Sequence, residues 1–207
     1  GPRPLALSSQ RGVGGPVSFS RRKLFWGRCG LVRPTANVAD TEMIHLATLT
    51  QEERVALWAW CRTQSLEVVT HSSYVRGRTE RWFRLGSNLQ SLPKGRAKIV
   101  HLPDVEDALV LRIGDTFLPS WNSLLLCGGN TSIEWHRDHG HFLNEAVSCN
   151  LGRGVIQEDL PNGVLRTELV DGVIYALDVS RPHLVTQTST ERYSLTYRTI
   201  ATRYLPG

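Results

Sequence analysis

Several features are scarce in this sequence of 207 residues, and each scarcity excludes a class of protein. No apolar run approaches the roughly 20 residues that a membrane-spanning helix needs, so no membrane association is expected. The cysteines have no C-x-x-C spacing, which favours reduced thiols without a part in metal binding and fits a reducing compartment. The four are Cys29, Cys61, Cys127 and Cys149.

Acidic residues are absent from positions 1–39, although this stretch carries seven of the 24 lysines and arginines. The remaining 17 basic and 19 acidic residues give the rest of the chain a net charge of −2, so the overall +5 does not indicate a nucleic-acid-binding core. Residues 1–38, rich in Gly, Pro, Ser and Arg, predict a disordered leader. The same composition is typical of an organelle transit peptide, so organelle targeting stays open beside an intracellular, cytoplasmic or nuclear location.

Residues 39–207 are enough to bury a core, and they predict one domain that we expect to be monomeric. Thr50-Gln51-Glu52-Glu53 fits a capping box, and apolar residues follow it at helical spacing. A helix is therefore predicted over 51–64. The stretch 104–113 predicts a short second helix.

Beyond Trp121 the pattern changes to short strands that are punctuated by glycine. Asn162-Gly163 and Asp171-Gly172 predict tight hairpin turns between them. The predicted strands cover 122–127, 132–135, 144–151, 155–157, 164–170, 173–179, 183–188 and 193–201. Short strands behind two helices predict an α+β, mainly β fold: a double-stranded β-helix (jelly roll) with two N-terminal helices packed against it.

Two histidines and one aspartate have the spacing of a metal centre. His136 and Asp138 are two residues apart, so on an extended strand both side chains project to one face. His183 comes from a later strand that a roll can fold back beside them. Two imidazoles and one carboxylate leave half of an octahedral coordination sphere open, which suits a non-haem Fe(II) oxygenase that binds O₂ and a chelating co-substrate. We predict these three residues as the metal ligands and catalytic group.

A basic residue soon after the distal histidine completes the pattern. The guanidinium of Arg192 can bind the far carboxylate of a co-substrate with a bidentate fork. Ser194, Thr196 and Arg198 share its parity, so one face of the last strand carries all four side chains. Inside a roll that face needs a partner for its charge, and a dicarboxylate co-substrate provides one.

A second ligand set is the alternative. His139-Gly140-His141, followed by Glu145 and Gly152, matches the first half of a cupin metal motif. The second half of that motif is absent around His183, and this reading leaves Arg192 without a role. His139 and His141 are better interpreted as residues at the mouth of the pocket or behind the ligands.

From about Leu102 to Tyr204 the sequence resembles the AlkB-like Fe(II)/2-oxoglutarate dioxygenases. The segments that carry the resemblance are Asn122-Ser123-Leu124-Leu125, Ile133-Glu134-Trp135-His136-Arg137-Asp138, Val147-Ser148, Leu151-Gly152 and, as the strongest, Arg192-Tyr193-Ser194-Leu195-Thr196-Tyr197-Arg198. The resemblance implies a double-stranded β-helix in which His136, Asp138 and His183 hold the iron.

The same resemblance implies a co-substrate site and a reaction. Arg192 is expected to bind the 5-carboxylate of 2-oxoglutarate, with Arg198, Ser194 and Asn122 in the same site. O₂ is then used to oxidise an unreactive C–H bond while 2-oxoglutarate becomes succinate and CO₂. The implied reaction is dealkylation of N-alkylated nucleic-acid bases: on an N-methylated base, the hydroxymethyl product falls apart to formaldehyde and the repaired base.

Three departures from the family's pattern bear on the substrate and co-substrate rather than on the metal. Cys127-Gly128-Gly129 stands where the family has an Asn and a Tyr that contact 2-oxoglutarate. Ser194 replaces an Asn of the closing strand, although its hydroxyl can still form a hydrogen bond. His139-Gly140-His141 replaces the acidic residues that help to read the target base.

The stretch 74–98 occupies the place of the family's substrate-recognition lid. It carries seven basic residues against Glu80 alone, beside three aromatic residues. Basic groups there would meet phosphates, and Trp82 or Phe83 would stack on an extruded base, which favours alkylated single-stranded DNA or RNA as the partner. The alternative is a solvated basic loop that these two aromatic residues anchor to the core. The predicted substrate residues are Arg76, Arg78, Arg81, Trp82, His139 and His141.

Three functional hypotheses follow from the sequence. The first is an Fe(II)/2-oxoglutarate dioxygenase that removes alkyl groups from nucleic acid. The second keeps the iron and the co-substrate but hydroxylates a protein side chain or a small molecule. The third is a β-roll that only binds, and the intact ligand set with Arg192 argues against it.

Overall fold

The computed structural model describes residues 43–69, 75–84, 89–91, 98–100, 102–129 and 132–205. The predicted leader over 1–38 lies outside these residues, as do positions 74, 85–88 and 92–97 of the basic stretch. Within the described part of the chain, neither helix has the length and apolar character that crossing a membrane requires.

The first helix, α1 (Gln51–Thr63), is where the capping-box pattern predicts it. The Thr50 hydroxyl accepts a hydrogen bond from the Glu53 N–H at 3.2 Å, and the Glu53 carboxylate accepts one from the Thr50 N–H at 2.9 Å. These reciprocal bonds satisfy backbone donors that the first helical turn leaves free. Leu57 and Cys61 form the buried face of the helix.

The second helix, α2 (Ala108–Phe117), begins four residues later than the sequence predicts. The Asp107 carboxylate accepts hydrogen bonds from the N–H groups of Leu109 (2.9 Å) and Val110 (3.0 Å), which makes Asp107 the N-cap. Asp104, the predicted start, instead forms an ion pair of 3.1 Å with Arg84 and a β-bridge to it. The competing partner therefore moves the start of the helix.

Two antiparallel sheets form the roll and confirm the predicted jelly-roll class. The seven-stranded sheet contains, in spatial order, β1 (Ile44–Thr48), β12 (Val173–Asp178), β9 (Phe142–Leu151), β14 (Tyr193–Ile200), β7 (Ser123–Gly128), β4 (Thr79–Arg84) and β2 (Glu67–Val68). The five-stranded sheet contains β11 (Gly163–Leu169), β10 (Gly154–Leu160), β13 (His183–Gln187), β8 (Ser132–His136) and β3 (Val75–Arg76). A separate pair is formed by β5 (Leu89–Ser91) and β6 (Lys98–Val100).

The central strands of the seven-stranded sheet have two different faces. Leu126 of β7 and Leu195 and Tyr197 of β14 belong to a hydrophobic core that also contains residues of both helices. Residues of the opposite parity, such as Leu125 and Thr196, line a cavity. Because side chains alternate along a strand, the helices seal one face of the sheet and leave the other face to the roll's interior.

Two sequence predictions about the strands need correction. The strands β1 to β6 are not predicted by the sequence, because most are only two to six residues long and have no sustained alternation. Asp171-Gly172 is not a hairpin turn: it joins β11 and β12, which belong to different sheets. The hairpin at Asn162-Gly163 is confirmed, since Leu160 of β10 pairs with Gly163 of β11.

Candidate metal centre

Three side chains converge where β8 and β13 meet. His136 ends β8, His183 begins β13, and the antiparallel register places these two residues opposite each other. Asp138 follows two residues after β8, with its Oδ1 atom 3.6 Å from His136 Nε2 and 3.9 Å from His183 Nε2. One ligand atom from each residue lies within 4.8 Å of the others. The predicted ligand set is therefore brought together.

Each imidazole is oriented by a backbone carbonyl two residues earlier in the chain. His136 Nδ1 lies 2.8 Å from the Glu134 carbonyl oxygen, and His183 Nδ1 lies 2.9 Å from the Arg181 carbonyl oxygen. A carbonyl can only accept, so Nδ1 carries the proton in both rings and donates it. The lone pair of each Nε2 atom therefore remains available for a metal.

The Asp138 carboxylate is held by the buried guanidinium of Arg198. Arg198 Nε and Nη2 donate to Asp138 Oδ2 at 2.6 and 2.5 Å, which leaves Oδ1 facing the two imidazoles. Burial raises the pKa of Asp138, but Arg198 and the two histidines outweigh it and hold the pKa well below its usual range. Burial, together with His136, lowers the pKa of His183, which keeps this imidazole neutral. A carboxylate and neutral imidazoles are the forms that bind a metal ion.

The donor set fits Fe(II), because two imidazole nitrogens and one carboxylate oxygen leave further coordination positions free. These three residues are the single group of this kind among the residues that the structure describes. His139, His141 and Glu145 form no such group, and Glu145 is exposed on β9. The cupin ligand set therefore has no support in the geometry.

A cavity of about 1250 Å³ opens beside the metal centre. Its wall includes Arg192, Ser194, Thr196 and Arg198, so the parity prediction for the last strand is confirmed. The neighbouring strands add Cys127 of β7, together with Ser148 of β9, whose hydroxyl lies 3.3 Å from that of Thr196. A polar strip thus runs along the cavity wall from Arg192 towards Arg198.

Arg192 is a buried cation without a carboxylate partner among the described residues. Its Nε donates to the Asn150 side-chain oxygen at 2.8 Å, which is a bond to a neutral group. Burial lowers the pKa of Arg192 to about 10, so the guanidinium stays protonated at neutral pH. A buried charge of this kind is costly unless an anion joins it. The geometry suits a carboxylate ligand at this end of the cavity.

The other predicted co-substrate residues have different surroundings. Ser194 is buried and lines the cavity between Arg192 and the metal centre. Asn122 is not among the residues that line the cavity. Its side-chain amide accepts from the Ile200 N–H at 2.8 Å and donates to the Ile200 carbonyl at 3.3 Å. These two bonds fix the end of β14, and the co-substrate role of Asn122 stays a prediction.

The described part of the basic stretch is mostly strand. β4 pairs with β7 over six residues, with Phe83 buried in the core and Trp82 on the cavity side. Arg78 forms an ion pair of 2.6 Å with Glu80, which also accepts from the Trp82 indole N–H at 3.1 Å. Arg81 lies over the Phe83 ring. Phe83 is therefore too deeply buried to stack on a base, whereas Trp82 reaches the cavity.

Aromatic rings and histidines surround Arg198 at the cavity's other end. Trp82 and Phe142 are stacked with ring centroids 6.0 Å apart, and the Arg198 guanidinium lies 5.9 and 5.3 Å from them. His141 packs on Phe142 with centroids 4.1 Å apart and on His139 at 4.7 Å. Burial, His139 and Arg198 lower the pKa of His141 to about 4, so this imidazole is neutral at physiological pH. The two histidines thus lie beside the metal centre without joining it.

Sequence reasoning misses three residues of the site: Glu80, Phe142 and Asn150. Asn150 is in register with Ser194, so its parity on β9 is a signal that was available. The sequence carries no such signal for Glu80 or Phe142, because β4 is not predicted and Phe142 precedes the predicted start of its strand. Arg76 belongs to β3 and pairs with Ser132 of β8.

The fold is similar to that of several solved structures. OsALKBH1 matches with a TM-score of 0.54 and 15% identity, over 76% of this chain and 97% of that one. An oxidoreductase of the 2OG-Fe(II) oxygenase family from Burkholderia pseudomallei matches with a TM-score of 0.53 and 18% identity, over 75% and 84% of the two chains. At such identities the likeness establishes a shared fold.

A prolyl-4-hydroxylase from Pseudomonas putida shares the fold as well. It matches with a TM-score of 0.50 and 16% identity, over 77% of this chain and 92% of that one. No protein-family model and no curated protein sequence matches the chain. Fold and site geometry, rather than sequence similarity, therefore carry the functional argument.

Proposed function

We propose that this protein is an Fe(II)- and 2-oxoglutarate-dependent dioxygenase. The observation that carries the proposal is the buried Arg192, which has no carboxylate partner among the described residues and shares one cavity with a group of two histidines and an aspartate. A metal site alone fits many proteins. An unneutralised guanidinium on the same polar wall specifies, in addition, a ligand that carries an anionic group away from the metal.

Each residue has a distinct part in this function. His136, Asp138 and His183 would hold the iron, which when bound supplies the activation of O₂ for oxidation of a C–H bond. Arg198 fixes one oxygen of Asp138 and so directs the other to the metal. Arg192 binds the distal carboxylate of 2-oxoglutarate, and Ser194 lines the passage between the two ends.

The first test measures the conversion of 2-oxoglutarate to succinate. Protein purified without oxygen and loaded with Fe(II) should bind one ion and convert 2-oxoglutarate to succinate once O₂ is admitted. Succinate is measured with and without a chelator that removes the metal. Succinate production that is unaffected by the chelator would contradict the proposed centre.

For the substrate, we propose an N-alkylated base in single-stranded DNA or RNA. The fold shared with OsALKBH1 and the basic composition of residues 74–98 support this class. Trp82 on the cavity wall offers an aromatic surface close to Arg198 and the metal centre. Formaldehyde release from methylated single-stranded oligonucleotides, measured together with succinate, is the direct test. Formaldehyde in equal amount to succinate is the expected outcome.

A second substrate class has its own supporting observation. Two arginines of the basic stretch, Arg78 and Arg84, form ion pairs with Glu80 and Asp104, which reduces the charge that they can offer to phosphates. The fold shared with a prolyl-4-hydroxylase is compatible with hydroxylation of a protein side chain, and a small molecule belongs to the same class. Succinate formation without formaldehyde from any methylated oligonucleotide would favour this second class.

A further inference from the structure

We propose that Asn150 is a positioning residue that orients Arg192 and thereby sets the preference for a dicarboxylic 2-oxo acid. This inference rests on the proposed function and names the residue that gives the co-substrate site its selectivity. Asn150 is 1% exposed and lies behind Arg192, outside the cavity wall. It would therefore act on the co-substrate only through the guanidinium.

The Asn150 side chain has no freedom to turn. Its Nδ2 donates to the carbonyl oxygens of Gly152 at 2.7 Å and Val170 at 3.0 Å. Both partners can only accept, which assigns the NH₂ group to that side and directs Oδ1 to Arg192. The bond of 2.8 Å from Arg192 Nε to Oδ1 is therefore held by a side chain that the backbone fixes at two points.

This bond decides which edge of the guanidinium a ligand meets. A guanidinium can bind a carboxylate in bidentate fashion through Nε with one Nη, or through both Nη atoms. Asn150 occupies Nε, so only the edge with both Nη atoms remains for a bidentate ligand. A carboxylate approaching along the axis of the side chain is thus favoured.

Gly154 of β10 limits the space on another side of the Arg192 side chain. A Cβ atom there would lie 3.1 Å from Arg192 Nε and 2.9 Å from the Thr186 carbonyl oxygen, so the β10 backbone already packs against the arginine side chain.

The neutral charge of Asn150 matters as much as its position. An aspartate at position 150 would have nearly the same shape but would supply the negative charge that is otherwise left for the co-substrate.

The test compares two acids in the protein loaded with Mn(II), a redox-inactive substitute that allows binding to be measured without turnover. 2-Oxoglutarate and 2-oxovalerate have the same number of carbon atoms, but only the first has a distal carboxylate. The dissociation constant of each is measured by calorimetry for the wild type and for Asn150→Asp. We expect Asn150→Asp to weaken 2-oxoglutarate by about tenfold or more and to leave 2-oxovalerate within about twofold.

The matched control is Asn144→Asp, which makes the same change at an exposed position of the same strand. It should bind both acids as the wild type does. Asn150→Ser is the second variant, should the aspartate prevent folding, because serine is too short to reach Arg192 Nε. It should weaken 2-oxoglutarate severalfold and 2-oxovalerate little.

The outcomes separate this inference from the function on which it rests. Variants at position 150 that keep the full preference for 2-oxoglutarate, or that weaken both acids equally, would overturn the positioning role alone. A wild-type protein that binds the two acids with equal affinity would overturn the proposed 2-oxoglutarate site itself. Loss of the preference only in the position 150 variants supports the inference.

Discussion

The two ends of β14 carry guanidinium groups that are equally buried but have different partners. Arg198, near the end of the strand, is 7% exposed and donates two hydrogen bonds to the carboxylate of Asp138. Arg192, just before the strand begins, is 8% exposed and donates to the neutral amide of Asn150. One positive charge is neutralised within the protein, whereas the other has no carboxylate partner in the part of the chain that the structure describes.

Their different partners give the two arginines separate roles. A buried charge that meets a fixed counter-charge orients a neighbouring side chain permanently, as Arg198 does for Asp138. A buried charge that meets only a dipole keeps most of its attraction for an incoming anion. Variants that exchange or remove these partners should therefore affect the metal at one end and the co-substrate at the other.

The largest effect is expected from Asp138→Ala, which removes a metal ligand and leaves Arg198 without its carboxylate. Turnover of 2-oxoglutarate to succinate should be abolished, because two imidazoles alone hold Fe(II) weakly. Asp159→Ala, at an exposed position on β10, is the control and should retain activity. Full activity in Asp138→Ala would refute the ligand assignment.

Arg198→Met should come next, since it keeps the size of the side chain but releases Asp138 Oδ2. Removing a group that orients a metal ligand typically lowers metal affinity or activity by about 10- to 100-fold. The dissociation constant for Mn(II) and the rate of succinate formation measure the effect. The preference for 2-oxoglutarate over 2-oxovalerate should persist, and a loss of that preference would show that the two ends are not separate.

Arg192→Ala should affect the opposite end. It removes a charge-assisted contact worth on the order of 2 kcal/mol or more, so the 2-oxoglutarate concentration needed for half-maximal rate should rise about thirtyfold. Mn(II) affinity should stay as in the wild type. Arg166→Ala, at an exposed position on β11, is the matched control. An unchanged 2-oxoglutarate requirement in Arg192→Ala would contradict the proposed site.

The smallest effect is expected from Phe142→Leu, which removes one of the two rings beside Arg198. A cation–π contact of this kind contributes about 1 kcal/mol, so the rate of succinate formation should fall severalfold. Phe142→Tyr keeps the ring and should retain most of the rate. Equal losses in both variants would assign Phe142 a packing role instead.

The sequence predicted that His136, Asp138 and His183 converge, because the placement of the first two depends on local geometry. A spacing of two residues puts His136 and Asp138 on one side of extended backbone, and the jelly-roll class explains how a later strand returns to them. The cavity-facing parity of Ser194, Thr196 and Arg198 follows from the same alternation. The alternation within each strand was readable without knowledge of any long-range contact, whereas the return of His183 required the fold class.

Other features depend on partners that a linear pattern does not reveal. The start of α2 is displaced because Asp104 pairs with Arg84 of a strand that was not predicted. Asn122 looked like a co-substrate residue, yet its amide bonds to Ile200, 78 positions along the chain. The predicted role of Arg76, Arg78 and Arg81 as phosphate contacts stays a prediction, and the pairing of Arg78 with Glu80 was not foreseeable from composition.

The anchoring of each imidazole to a carbonyl two residues earlier affects how the site would acquire a metal ion. Because each ring is oriented by a nearby carbonyl, we expect both Nε2 atoms to be in place before a metal ion binds. We therefore expect a metal ion to bind and leave without unfolding of the protein. Other divalent ions of similar size would meet the same three side chains, so we expect metal availability to contribute to which ion binds.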